Sequence, residues 1–142
     1  MPLRPLMLVA VALAACVSQP ASNTALQDTV SLAVSIGQHD DGIDIPEAAS
    51  MLDEKVAAAP NDPYVLKVAA SARVALANAA QDRAIRVKLR QEALAQYDRA
   101  IANARPDARP RAVMMNGQPE EISLSDLTDL RAALFKTIQT DR

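Results

Sequence analysis

Pro60-Asn61-Asp62-Pro63-Tyr64 is the sharpest punctuation in the chain, and the fold turns on how it is read. Pro60 has no amide hydrogen with which to continue a helix arriving from the N-terminal side. Asp62 offers a side-chain oxygen suited to an N-cap, and the fixed φ of Pro63 suits a first helical position. The five residues therefore end one helix and begin another. The sequence on either side reads as helices joined by short turns.

Toward the N-terminus, Ala48, Met51, Leu52 and Val56 fall on one face of the helix that Pro60 ends, while Asp53, Glu54 and Lys55 lie mostly outside it. Asp44, with Pro46 and Glu47 behind it, forms an Asp-led capping box for that helix. Gln38-His39-Asp40-Asp41-Gly42 precedes it as a polar turn. Its Asp residues lack the alternating spacing and distal Glu of an EF-hand loop, so no metal site is read here. His39 is the only histidine and has no partner motif that would make it a base. Further back, Asn23 or Thr24 caps a first helix running to about Ile36, with Gly37 in the terminating position.

Toward the C-terminus, Val65, Leu66, Ala69, Ala72 or Arg73, and Leu76 form the next stripe. Asn78 to Asp82 ends that helix without a Gly or Pro, so one long continuous helix stays open as an alternative. A fourth helix runs from near Arg83 to Asn103, with Ile85, Leu89, Ala93, Tyr97 and Ala100 in register and Leu94 and Ile101 widening the face. Residues 105–122 carry Pro106, Pro110, Pro119 and Asn116-Gly117 and read as an irregular connection. Val113-Met114-Met115 within it is expected to pack on the body, and a brief strand pairing about Asn116-Gly117 is the alternative. Ser123-Leu124-Ser125-Asp126 then offers caps to a last helix over 123–140. Its stripe is Leu127, Leu130, Leu134 and Ile138, with Leu124 and Phe135 flanking, and it closes the exposed end of the helices.

Composition agrees with an all-α class. Half of the residues are hydrophobic, much of that Ala, while aromatics are 2% and Gly numbers three. Small side chains allow close helix approach and make a thin core. The formal charge of −2 offers no counterion-release footprint for nucleic acid. There is no Gly-rich phosphate loop, no His-Glu-x-x-His helix and no recognisable nucleophile motif, so the chain reads as non-catalytic and without a cofactor. The pairs Asp40-Asp41, Asp53-Glu54 and Glu120-Glu121 do not imply acid–base catalysis, because adjacent helical residues diverge and turn residues are solvated. Arg83, Arg86, Lys88 and Arg90, interleaved with Asp82 and Glu92, read as a solvated helix face, or alternatively as a surface for an acidic partner.

The first residues carry a different signal. Arg4 precedes an apolar run from Leu6 to Ala15, whose length suits a signal peptide (roughly 7–15 residues) and not a bilayer span (about 20). It ends in Leu13-Ala14-Ala15-Cys16, and Cys16 is the only cysteine, so no internal disulfide forms. This stretch resembles the lipobox of bacterial lipoproteins. The resemblance implies a signal peptide over 1–15, cleavage between Ala15 and Cys16, and diacylglyceryl and acyl chains on Cys16. Each buried methylene contributes about 0.8 kcal/mol, so two or three chains anchor durably. Val17, where Asp tends to retain lipoproteins in the inner membrane, points to the outer membrane with the body in the periplasm. Residues 16–23 would then be the lipidated Cys and a tether, and 24–142 one helical domain.

Residues 44–106 resemble tetratricopeptide repeats, helical hairpins of about 34 residues stacked side by side. Ala93, Tyr97, Ala100 and Ile101 followed by Pro106 look like the second helix of a repeat, and Leu66, Ala69 and Ala70 like the start of a first helix. Arg73 stands where an aromatic is common and Lys55 where a small residue is expected. Ala70 and Ala93 are about 23 positions apart where the repeat has about 12, an insertion of roughly three helical turns. The resemblance implies an antiparallel helical-hairpin array of about five helices with a groove for another protein. Lys67 and Arg73 are the candidate partner-binding residues on its inner face, and self-association could complete so short a stack. The expected role is a non-catalytic envelope adaptor held to the membrane through Cys16. The alternative is a structural or small apolar-ligand-carrying lipoprotein.

Overall fold

Carboxylates placed just ahead of prolines or of charged first turns decide where the helices begin. The computed structural model describes residues 20–38 and 42–141, with residues 20–22 described by backbone alone. Along them run α1 (Pro20–Gln38), α2 (Ile45–Ala58), α3 (Pro63–Ala79), α4 (Arg83–Asn103), β1 (Arg111–Met115), β2 (Gln118–Ile122) and α5 (Leu127–Thr140). Asp44 accepts the Glu47 amide hydrogen, Asp62 those of Tyr64 and Val65, and Asp82 those of Ala84 and Ile85. Each cap satisfies amides that a helix N-terminus leaves without an internal partner. Asp82 also settles the Asn78–Asp82 question. The backbone leaves helical geometry at Ala80 (ψ 125°) and α4 starts afresh, so the single long helix does not form.

The described chain is all-α with antiparallel helical hairpins, plus one small sheet. α3 is central, packing against α1, α2 and α4, and α5 lies on α4. The main core joins Leu52 and Val56 of α2, Leu66, Ala69 and Leu76 of α3, Leu89, Ala93 and Tyr97 of α4, and Leu127 and Leu134 of α5. Alanines at 69, 70, 77, 93 and 100 are buried, so α3 and α4 approach closely and gain dispersion contacts along their length. A second, smaller core gathers Leu26 and Val30 of α1, Tyr64 and Val65 of α3, and Val113 and Ile122 of the hairpin.

Several expectations need correction. α1 is already helical at Pro20, so Asn23 and Thr24 lie inside it, and residues 20–23 are helix where a tether was expected. Asn23 accepts hydrogen bonds from Arg111 and caps nothing. Gly37 lies within α1; the glycine in left-handed geometry is Gly42 (φ 98°), beyond the helix end. Met51 is 43% exposed, because the buried line of α2 runs through Ala48, Leu52 and Val56, with Ile45 and Ala49 beside it, and leaves Met51 outside. Ile85, Ile101 and Phe135 are exposed too, lying at the edges of their stripes. Asp126 stands at the start of α5 but makes no cap hydrogen bond, since its carboxylate is engaged by Lys67.

Residues 105–122 are not irregular throughout. β1 and β2 pair antiparallel from Met115 opposite Gln118 to Arg111 opposite Ile122. Asn116 (φ 51°) and Gly117 (φ 78°) both adopt left-handed geometry, as a two-residue type I′ turn requires. Val113 and Ile122 on one face enter the second core, while Met114 on the other is exposed. Hydrogen-bonded and non-bonded pairs alternate from the turn outward, so Met114 and Pro119 form a non-bonded pair. Pro119 thus loses no ladder bond, and the backbone groups of Met114 face away from β2. Gln27 of α1 meets them with its amide, accepting from Met114 N and donating to Met114 O, both at 2.9 Å. Its side chain stands in for a third strand.

Candidate functional site

α3 carries both residues singled out as partner-binding, and the fold uses them differently. Arg73 is 1% exposed and belongs to the interior. Its Nε donates to Gln96 (3.1 Å) and Nη1 to Glu92 (2.8 Å) on α4, while Nη2 meets Asp53 on α2. The guanidinium therefore ties three helices together and presents nothing to a partner. An aromatic at that place would fill space without making these bonds. Lys67 is half-buried and donates to the Ser123 carbonyl (2.6 Å) and Asp126 carboxylate (2.5 Å), fixing the approach to α5. Its charge is neutralised by Asp126.

Lys67 nevertheless borders a groove of about 350 Å³ between α1, α3 and the hairpin. Ala33 of α1, Val68, Ala72 and Ala75 of α3, and Met115 and Ile122 of the hairpin give it an apolar floor. Ser71 lies at its edge, hydrogen-bonded to the Tyr97 hydroxyl at 2.8 Å. Burial pushes that hydroxyl above its ordinary 10.0, the Ser71 bond opposes the rise, and the charge of Asp126 adds to it. Glu120 and Glu121 stand on the rim, exposed and without an ion pair among the described residues. The groove thus combines small apolar side chains with two uncompensated carboxylates.

The sequence does not point to Met115, Glu120, Glu121 and Ile122 as a site, because an irregular connection carries no fixed facing for them. Asn116-Gly117 was the available signal. Taken as a tight turn, it pairs Met115 with Gln118 and brings Glu120, Glu121 and Ile122 back alongside β1. Position on the body depends further on Arg111. Its Nη1 bonds Asp62 (2.6 Å), its guanidinium lies 4.9 Å from the Tyr64 ring centre, and the Tyr64 hydroxyl donates to the Arg109 carbonyl. Asp62 therefore caps α3 with one oxygen and holds the hairpin with the other.

The basic run of α4 is not the solvated face expected of it. Arg90 is 9% exposed, and Arg86 and Arg90 both donate to Asp141, just beyond α5. Arg83 and Lys88 are exposed, Lys88 lying near Glu92. The Arg86 hydrogen bond holds the Asp141 carboxyl below its ordinary 3.8. Partial burial opposes that effect, and the charges of Arg86, Arg90 and Arg83 reinforce it.

Among the described residues no three His, Cys, Asp or Glu side chains are grouped to hold a metal, and no helix is long and apolar enough to cross a membrane. Ala15, Cys16 and the signal stretch over 1–15, together with His39, Asp40 and Asp41, lie outside the described residues. Compared with protein families, with curated proteins and with solved structures, the chain matches none.

Proposed function

We propose that this chain is a lipid-anchored, non-catalytic adaptor of the bacterial envelope, and that the groove between α1, α3 and the hairpin holds a segment of another protein. The observation that carries the reading is the groove's composition. An apolar floor of small side chains accepts apolar anchors, and Glu120 and Glu121 on its rim call for positive charge. The occupant is therefore an amphipathic segment with Lys or Arg beside two or three apolar residues. The signal-like run ending in Leu13-Ala14-Ala15-Cys16 supports attachment through acyl chains on Cys16, outer membrane preferred on account of Val17.

The test places a photo-crosslinking residue at Ala75 and compares the parent with E120K/E121K in cell envelopes. The adaptor reading expects a discrete protein adduct that charge reversal reduces about tenfold. An adduct unaffected by the reversal, or co-purified lipid with no protein adduct, overturns it. The latter result identifies an apolar-ligand carrier. For the anchor, Cys16→Ser is expected to abolish incorporation of a fatty-acid analogue, and labelling that survives the change refutes lipidation.

A further inference from the structure

Arg83, Arg86 and Arg90 follow one another along α4 at intervals that put them on one face. All three converge on a single residue. Arg86 Nε and Arg90 Nη1 donate to the same Asp141 oxygen, Oδ2, at 3.1 and 2.6 Å, and Arg83 Nη2 donates to the Asp141 carbonyl at 3.2 Å. Arg86 also donates to the Ala80 carbonyl, and Arg90 to the Asn78 side chain at a long 3.4 Å. The nearby carboxylates are committed elsewhere. Asp82 caps α4, and Glu92 faces Arg73 and Lys88. Two guanidinium groups thus share one carboxylate oxygen, a third reaches only the main-chain carbonyl beside it, and the most buried of the three is incompletely satisfied. Arg90 Nε has no hydrogen-bond partner, a deficit that points to a missing water or anion. A cavity of about 170 Å³ lies beside it, bordered by Arg83, Val87, Gln91 and Ile138.

We propose that this cleft between α4 and the end of α5 is a phosphate-binding site, with Asp141 as its tethered occupant. A phosphate group brings about 1.5–2 negative charges and several acceptor oxygens, against one charge and two oxygens from Asp141. It matches the planar donor forks of three arginines better than a lone carboxylate does. Asp141 follows the last turn of α5, where helix ends fray at small cost, so it can swing out as the phosphate enters. The site lies away from the groove, and its reading does not depend on the groove having a partner.

The test is calorimetric titration of the full chain with inorganic phosphate, against sodium chloride at matched ionic strength. Asp141→Asn removes the internal competitor and is expected to bind phosphate about tenfold tighter than the parent. Arg90→Met is expected to abolish binding. Arg83→Gln, at an exposed position, is expected to weaken it several-fold while leaving the helical circular dichroism unchanged, which keeps the test decisive should Arg90→Met fail to fold. Glycerophosphoglycerol as a second probe distinguishes sources. Tighter binding than inorganic phosphate marks a lipid headgroup as the natural ligand, and weaker binding marks a soluble phosphate. No heat above the chloride control in either parent or Asp141→Asn, or binding indifferent to both arginine variants, overturns the proposal.

Discussion

Two buried arginines sit on adjacent helices in opposite states of balance. Arg73 on α3 has Asp53, Glu92 and Gln96 for its donors, drawn from two other helices, so its charge is more than matched. Arg90 on α4 shares one carboxylate with Arg86 and leaves its Nε without a partner. The first is a closed structural joint and the second an electrostatically hungry cleft. Burial alone therefore does not say whether a charged side chain serves architecture or binding. The ratio of donors to acceptors around it does.

The largest expected effect comes from stripping the Arg73 joint of its anions. D53A/E92A leaves a buried guanidinium with one amide oxygen and should cost about 3–5 kcal/mol in urea unfolding followed by circular dichroism. Arg73→Met should cost less, about 1–3 kcal/mol, because Asp53 (70% exposed) and Glu92 (38% exposed) return to water when the arginine goes. Equal losses from the two variants would contradict the view that the cation, and not the acids, is the buried partner.

At the other arginine the expected effect is smaller and depends on pH. Asp141 titrates below its ordinary 3.8 in the fold, so its contribution is present above that value and disappears as pH falls through the lowered one. The difference in melting temperature between parent and Asp141→Asn should be full at neutral pH and close as pH drops below about 4. A difference that persists into acid would mean that Asp141 acts through packing and not through charge.

The smallest effect belongs to a neutral contact in the α3–α4 seam. Tyr97 is raised above 10.0, chiefly by burial, so its contribution is intact below that pH and lost as pH rises through the folded value. Tyr97→Phe should cost about 0.5–1.5 kcal/mol at neutral pH through loss of the Ser71 bond, and should flatten the alkaline limb of the stability curve. An unchanged alkaline limb would assign that limb to other groups.

Much of this architecture was legible from local chemistry. Asp44 and Asp62 start helices because a cap acts within three residues of itself, and Asp82, read only as one charge of a helix face, does the same. Leu52, Leu66, Leu76, Leu89 and Leu134 are buried where the helical period placed them. Three of the misreadings share one cause. Asn23, Asp126 and Arg73 are polar side chains with distant partners, at Arg111, Lys67 and Glu92 respectively, and spacing along the chain says nothing about such pairs. The hairpin stands in the sequence only as the alternative to an irregular connection, for a related reason. Gln118 to Glu121 are exposed throughout, so β2 has no apolar alternation to announce it, and Asn116-Gly117 is its only strong mark.

Sequence alone determined the helical class and the helix starts at Ile45 and Pro63, because each rests on residues near one another in the chain. Tertiary structure alone decided what the charged side chains are for. It closed Arg73 inside three helices, set Glu120 and Glu121 on the rim of a groove, and brought Arg83, Arg86 and Arg90 onto Asp141. Caps and periodicity act over a turn or two of helix, whereas charge balance depends on which segments meet in space.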